Sequence, residues 1–210
     1  MQIMVRPGLR VVPPTAENRT VATPRRLANA EYRSREYLTP TEMDRLIKAA
    51  GKNRYGHRDA TMLLVCYRHG LRASELVSLE WSQVDFNAGH MHVRRLKGST
   101  DAVHPIRGDE LRALRRVQRE QEPKSSFVFT SERGSPFSTG GFLRMVHRVG
   151  EAAKLGFPVH PHMLRHATGY KLANDGVDTR TLQAYLGHRS ITNTVRYTEL
   201  APTRFRDLWR

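Results

Sequence analysis

Between residues 81 and 106 three short runs, WSQVDF, HMHVRRL and DAVHPI, alternate apolar with polar positions or carry β-branched residues. The tight-turn stretches NAG and KGST separate them. Alternation of period two marks half-buried strands, and turns this short join antiparallel neighbours. Nearly everything else after residue 37 has helical spacing. The chain is therefore expected to be α+β, mostly helical, with a small three-stranded antiparallel sheet. One further run, SFVFTS at 126–131, reads as an additional short strand.

The helical segments carry their own boundaries. In LTPTEMDRLIKAA, Thr39 is an N-cap, Pro40 suits the first helical position and Glu42 completes a capping box, with Leu38 and Met43 as a hydrophobic staple. HRDATMLLVCYRHG reads as a buried helix stopped by Gly70, and LRASELVSL as a short helix with Ser74 near its start. GDELRALRRVQREQ turns Leu111 and Leu114 inward, and STGGFLRMVHRVGEAAKLG is helical despite its glycines. PHMLRHATGYKLANDG ends at Asn174-Asp175-Gly176. DTRTLQAYLGH runs from Asp178 to Gly187, SITNTVRYTEL begins at Ser190, and PTRFRDLWR forms a last short helix. Residues 1–36 differ: four prolines and seven arginines without periodicity read as a basic, flexible or extended arm. The expected division is an arm over 1–36, a catalytic domain over 37–200 and a C-terminal helix over 201–210.

The 210 residues hold 35 Lys+Arg against 20 Asp+Glu, a formal charge of +15. An excess of that size points to a polyanionic partner, above all nucleic acid. A single cysteine, Cys66, lies in an apolar run and reads as a small core residue. No apolar run approaches the roughly 20 residues that span a bilayer, and the N-terminus lacks the apolar stretch of a signal peptide. A cytoplasmic address, at the nucleoid of a bacterial cell, is expected, with no membrane partner.

The stretch HPHMLRHATG, residues 160–169, poses the chemical question. His162 and His166 stand four apart, as zinc ligands on a helix do, but Met163 occupies the position where a metalloprotease carries its Glu. Arg165 would put a cation beside the ion, so neither a metal nor a cofactor is expected. As a phosphate site the stretch works better: His162 and Arg165 share a face, and Arg offers a planar fork of donors. Arg72 follows a glycine turn in HGLRASEL, Lys97 sits in the turn of RRLKGST, His188 follows Gly187, and Tyr197 comes nine residues later. Such a set suits metal-free phosphodiester cleavage. A tyrosine hydroxyl attacks and leaves a covalent phosphotyrosine. Arg72, Arg165 and His188 neutralise the charge developing on the phosphoryl oxygens. Lys97 protonates the leaving 5′-oxygen, and His162 takes or relays the tyrosine proton. His166 is read as a supporting residue that holds the helix or bonds a backbone group. Arg94, Arg95, Arg189 and Arg196 are read as DNA contacts.

The ordered set HGLRASEL, LKGS, HPHMLRHATG, LGHRSITNT and RYTEL resembles the tyrosine recombinases, the integrase family of phage integrases and chromosome-dimer resolvases. The resemblance spans about residues 37–200. It implies the tyrosine recombinase catalytic fold and a 3′-phosphotyrosine mechanism without metal or ATP. It also implies a Holliday-junction intermediate and assembly on double-stranded DNA as a homo-oligomer, a tetramer in the synaptic complex, with accessory DNA-bending proteins as further partners. Glu75 would support Arg72 rather than do chemistry. The N-terminal core-binding domain usual in the family is not expected here. In size, and in HPHMLRH and YLGHR, the chain is most similar to the short invertases that switch fimbrial genes. By the same resemblance, the last segment docks on a neighbouring protomer. The rival readings are a DNA-binding regulator on the same domain that does not cut, a topoisomerase-like enzyme sharing the chemistry, and a zinc enzyme.

Overall fold

The computed structural model describes residues 35–95 and 99–199. The expected arm (apart from its last two residues), Lys97 and the expected C-terminal helix lie outside them. Eight α-helices are described: α1 (Pro40–Ala50), α2 (Gly56–His69), α3 (Ala73–Val77), α4 (Gly108–Glu120), α5 (Thr139–Ala152), α6 (Pro161–Asn174), α7 (Thr179–Leu186) and α8 (Thr192–Glu199). Three strands, β1 (Val84–Asp85), β2 (His90–Val93) and β3 (Ala102–Pro105), form one sheet in the order β1-β2-β3, both pairings antiparallel. No described helix is long and apolar enough to cross a membrane.

Helix α2 is the centre. It packs on α1, α4 and α6, and buries Met62, Leu63, Val65 and Cys66. An apolar stripe this wide makes it hydrophobic on most of its circumference, as a helix surrounded by others must be. Burial pushes the Cys66 thiol up to about 12, and the thiol donates to the Leu71 carbonyl, so it serves as core. The expected capping box at α1 forms: Glu42 N–H donates to Thr39 Oγ1, while Thr39 N–H donates to Glu42 Oε2 at 2.8 Å. Leu38 and Met43 are both buried, as a staple requires. A second, smaller cluster gathers Ala173, Leu182, Leu186 and Tyr197, where α6, α7 and α8 meet.

Three local expectations need correction. WSQVDF is not a strand throughout: Trp81–Gln83 is a 3-10 turn, closed by Glu80 N–H donating to Gln83 Oε1, and only Val84–Asp85 pair with β2. SFVFTS forms no ladder, only isolated bridges, Glu80 with Phe127 and Thr130 with Pro136. Its backbone bonds Leu79 on one side and Phe137 on the other, so no partner strand runs beside it for more than one residue. Helix α8 starts at Thr192 rather than Ser190, because Ser190 and Ile191 carbonyls close a turn before the helix.

Candidate active site

Two left-handed glycines build the site's edges. Gly70 (φ 57°) ends α2 and Gly187 (φ 65°) ends α7, conformations that carry no penalty only for glycine. The chain leaves Gly70 through Leu71 into Arg72, the N-cap residue of α3, and leaves Gly187 directly into His188. Arg72 N–H donates to Glu75 Oε2 (2.8 Å) and Arg72 Nη1 to Glu75 Oε1 (2.6 Å). Glu75 thus holds both the amide and the guanidinium of Arg72.

Helix α6 begins with Pro161 at its first position. Arg165 then points inward and is 1% exposed. Its Nη1 donates to the Gly70 carbonyl (2.5 Å) and its Nη2 to the Leu186 carbonyl (2.6 Å), while Glu75 Oε2 lies 3.9 Å away. The carbonyl ends of α2 and α7 therefore converge on one guanidinium, where the helix dipoles favour a cation. Desolvation, and the neighbouring Arg72 and Arg95, nevertheless lower the Arg165 pKa to about 10. Glu75 is buried, which favours its neutral form, but the Arg72 amide and the Arg95 cation outweigh that and hold its carboxyl below the usual range.

Tyr197 on α8 is 1% exposed. Its ring lies against Gly169, where an added Cβ would come within 2.7 Å of Cζ. Tyr170 packs on it edge-on at 5.0 Å, and His188 lies parallel at 6.3 Å and 16°. The phenol hydroxyl and His166 Nδ1 share a hydrogen bond at 2.6 Å. Burial raises the phenol pKa, with Arg196 and Arg165 opposing. His166, expected to hold the helix or bond a backbone group, has the Tyr197 hydroxyl and Arg196 Nη2 as its side-chain neighbours. His162, exposed at the mouth of the cavity, meets His166 edge-on at 4.5 Å. His188 Nδ1 pairs with Thr194 Oγ1 at 2.8 Å. Arg72, His162, Arg165, His166, His188 and Tyr197 all line one cavity of about 260 Å³.

The four arginines expected to touch DNA divide. Arg189 is exposed, and the Arg94 side chain is 66% exposed, 4.0 Å from Glu80. Arg196 is half-exposed: it lies over the Tyr197 ring, with Nη2 at 2.7 and 2.8 Å from the His166 nitrogens and 3.6 Å from Glu36. Arg95 is the correction. Its side chain is 0% exposed and its Nη1 donates to Glu75 Oε2 at 2.7 Å, so it cannot reach a phosphate outside. Nothing in the local sequence RRLKGS separates a buried arginine from an exposed one, because the partner stands twenty residues earlier. Gly169 likewise carries no local signal, since only the close approach of Tyr197 gives it meaning.

Two buried histidines, His104 and His166, and the half-buried His188 make stability depend on pH. Desolvation first, then the surrounding arginines, lower His188 to about 3 and His166 to about 2; desolvation, with His69 and Arg95, lowers His104 to about 3. Below the ordinary value of 6.5 the unfolded chain binds protons on these rings that the native state refuses, so stability falls as pH falls through that value. The urea midpoint is expected to drop between pH 7 and pH 5, above the range where carboxylates titrate, and His166→Asn to flatten the slope. Equal midpoints at both pH values would contradict the burial of these rings.

Residues 36–204 match the family model of the phage integrase family. The chain is 42% identical over 180 residues to the type 1 fimbriae regulatory protein FimE of Escherichia coli (strain K12), covering 83% of this chain and 91% of that protein. It is 33% identical over 178 residues to the tyrosine recombinase XerD of Pseudomonas putida, covering 81% of this chain and 59% of that one. The crystal structure of XerA recombinase superposes with a TM-score of 0.71 at 30% identity, over 82% of this chain and 63% of that one.

Proposed function

This chain belongs to the phage integrase family, and from that membership we propose the reaction its cavity performs. The chain is a site-specific DNA recombinase, an enzyme that cuts and rejoins DNA strands, as the family and its similarity to XerD and XerA support. The observation that carries the proposed chemistry is the convergence of Arg72, Arg165, His188 and Tyr197 on one cavity.

The substrate is double-stranded DNA. A phosphate entering the cavity meets Arg72 and Arg165, two cations that share the single carboxylate of Glu75. The site has more positive charge than its own residues neutralise, and a phosphodiester supplies the balance. Tyr197 Oη attacks phosphorus, the bond from phosphorus to the 5′-oxygen breaks, and the 3′-phosphate stays on the tyrosine. Lys97 delivers the proton that the 5′-oxygen needs. The charge of the bound phosphate offsets the Arg196 and Arg165 cations that, with desolvation, depress the His166 ring, and the phenol proton then leaves through His166, with His162 beside it as the relay toward solvent. Arg72, Arg165 and His188 hold the oxygens as charge develops. The reverse attack by a 5′-hydroxyl rejoins a strand, so the phosphotyrosine conserves the bond energy and ATP is not consumed. Exposed Arg94 and Arg189 contact the backbone, and the basic segment over residues 1–36 adds phosphate contacts. Four copies assemble on two sites, the segment over 201–210 docking on the neighbouring copy, and integration, inversion or excision of DNA is the outcome.

A plasmid carrying the DNA that flanks the gene, incubated with the protein in EDTA and without ATP, is expected to give a rearranged restriction pattern. Arg72→Ala should abolish it. Specific binding to that plasmid with no rearrangement would favour a regulator that does not cut.

A further inference from the structure

Arg95 is buried beside the cavity without lining it. Its stem passes over Gly187, where an added Cβ would come within 3.0 Å of Arg95 Cγ and Nε. Its Nη2 donates to the Tyr185 carbonyl (2.7 Å) and lies 3.4 Å from the His69 carbonyl, and its Nη1 donates to Glu75 Oε2 (2.7 Å). Arg165 uses the carbonyls of Gly70 and Leu186, the residues next in sequence to His69 and Tyr185. Two buried arginines therefore bridge the same two helix ends at adjacent carbonyls, with the Glu75 carboxylate between them.

The arrangement has a cost. Three arginines surround one carboxylate, and Arg95 Nε is buried with no hydrogen-bond partner among the described residues. A hydrophobic residue of similar size would avoid the desolvation, so a charge kept there is best explained by what it holds in place. Glu75 Oε2 is shared between Arg95 and the Arg72 amide, and Oε1 takes the Arg72 guanidinium. Without Arg95 the carboxylate keeps only its two bonds from Arg72, and Arg165, 3.9 Å away, can draw Oε2 toward itself. We infer that Arg95 is a positioning residue: it pins Glu75 and the two helix ends so that Arg72 and Arg165 face the scissile phosphate in register.

The inference rests on the recombinase reading above, and the wild-type adduct separates the two. Nicked duplexes tiled from the DNA flanking the gene first map the scissile phosphate with wild-type protein. Arg95→Met is then compared on that duplex and on the same duplex with a methylphosphonate at the scissile position, which removes one oxygen's charge. The variant is expected to form adduct on the order of 100-fold more slowly on the phosphodiester, the loss that a small misplacement of a reacting group brings. Its affinity for DNA and the salt slope of that affinity should match wild type, since Arg95 meets no phosphate. On the methylphosphonate the deficit should shrink to about 10-fold or less, because less charge awaits the arginines. A salt slope reduced by about one would make Arg95 a DNA contact and overturn the inference. So would an equal deficit on both linkages, or wild-type cleavage by a folded variant. Should Arg95→Met fail to melt cooperatively, Arg95→Lys, which keeps a charge but not the fork, is read against the same outcomes. No wild-type adduct on any duplex would overturn the recombinase reading and this inference with it.

Discussion

Arg165→Met is expected to leave the protein folded and to slow DNA cleavage on the order of 1,000-fold, the loss that follows removal of a preorganised charge donor. The stability side rests on two opposing magnitudes. Removing the guanidinium strands the Gly70 and Leu186 carbonyls, at about 1–3 kcal/mol each when buried. Against that stands the cost of keeping a cation in a desolvated place beside Arg72 and Arg95, which lowers its pKa from 12.5 to about 10 and corresponds to about 3 kcal/mol. Methionine fills much of the volume. The net loss should therefore stay below about 3 kcal/mol, within what a domain tolerates. Urea unfolding and single-turnover adduct formation measure the two halves separately. An unfolded variant, or a folded one that cleaves normally, contradicts the account.

Gly169→Ala should drive Tyr197 out of its seat. An added Cβ meets Cζ, Cε1 and Cε2 of the ring at 2.7–2.8 Å, closer than real contacts. Tyr170 lies edge-on to the ring at 5.0 Å, so little room is left to absorb the added methyl in place. Overpacking of this kind costs about 1–3 kcal/mol. Displacement also breaks the bond between the phenol and His166, so cleavage should fall on the order of 100-fold through misplacement of the nucleophile. Nitration by tetranitromethane reads the position directly: Tyr197 should resist in the wild type and react in Gly169→Ala. Equal protection in both proteins would mean that the ring does not lie on Gly169.

The parts of this molecule that were legible in sequence are those decided locally. Thr39, Pro40 and Glu42 settle the start of α1 within four residues, and Gly70 and Gly187 end α2 and α7 because no other residue is comfortable there. The spacing of His162 and Arg165 puts them near one another on α6 whatever surrounds the helix. What stayed hidden depends on residues far away in the chain. Phe127 and Val128 look like strand residues, but their backbone meets Leu79 and Glu80 only at an isolated bridge and otherwise bonds the side chains of Gln121 and Ser125. Arg94 and Arg95 read alike, and only the tertiary placement of Glu75 takes one inside and leaves the other out. His166 looked like a helix-holding residue until α8 brought the phenol of Tyr197 to it.

Cleavage by this mechanism joins Tyr197 covalently to DNA. The most direct measurement is a denaturing gel of wild type and Tyr197→Phe after incubation in EDTA with nicked duplexes from the flanking DNA. Phenylalanine keeps the ring on Gly169 and removes only the hydroxyl, so the variant should fold and bind DNA as wild type does. The account predicts an adduct that survives denaturation, forms in EDTA and is absent from the variant. An adduct that persists in Tyr197→Phe, or one that EDTA abolishes in the wild type, would contradict it.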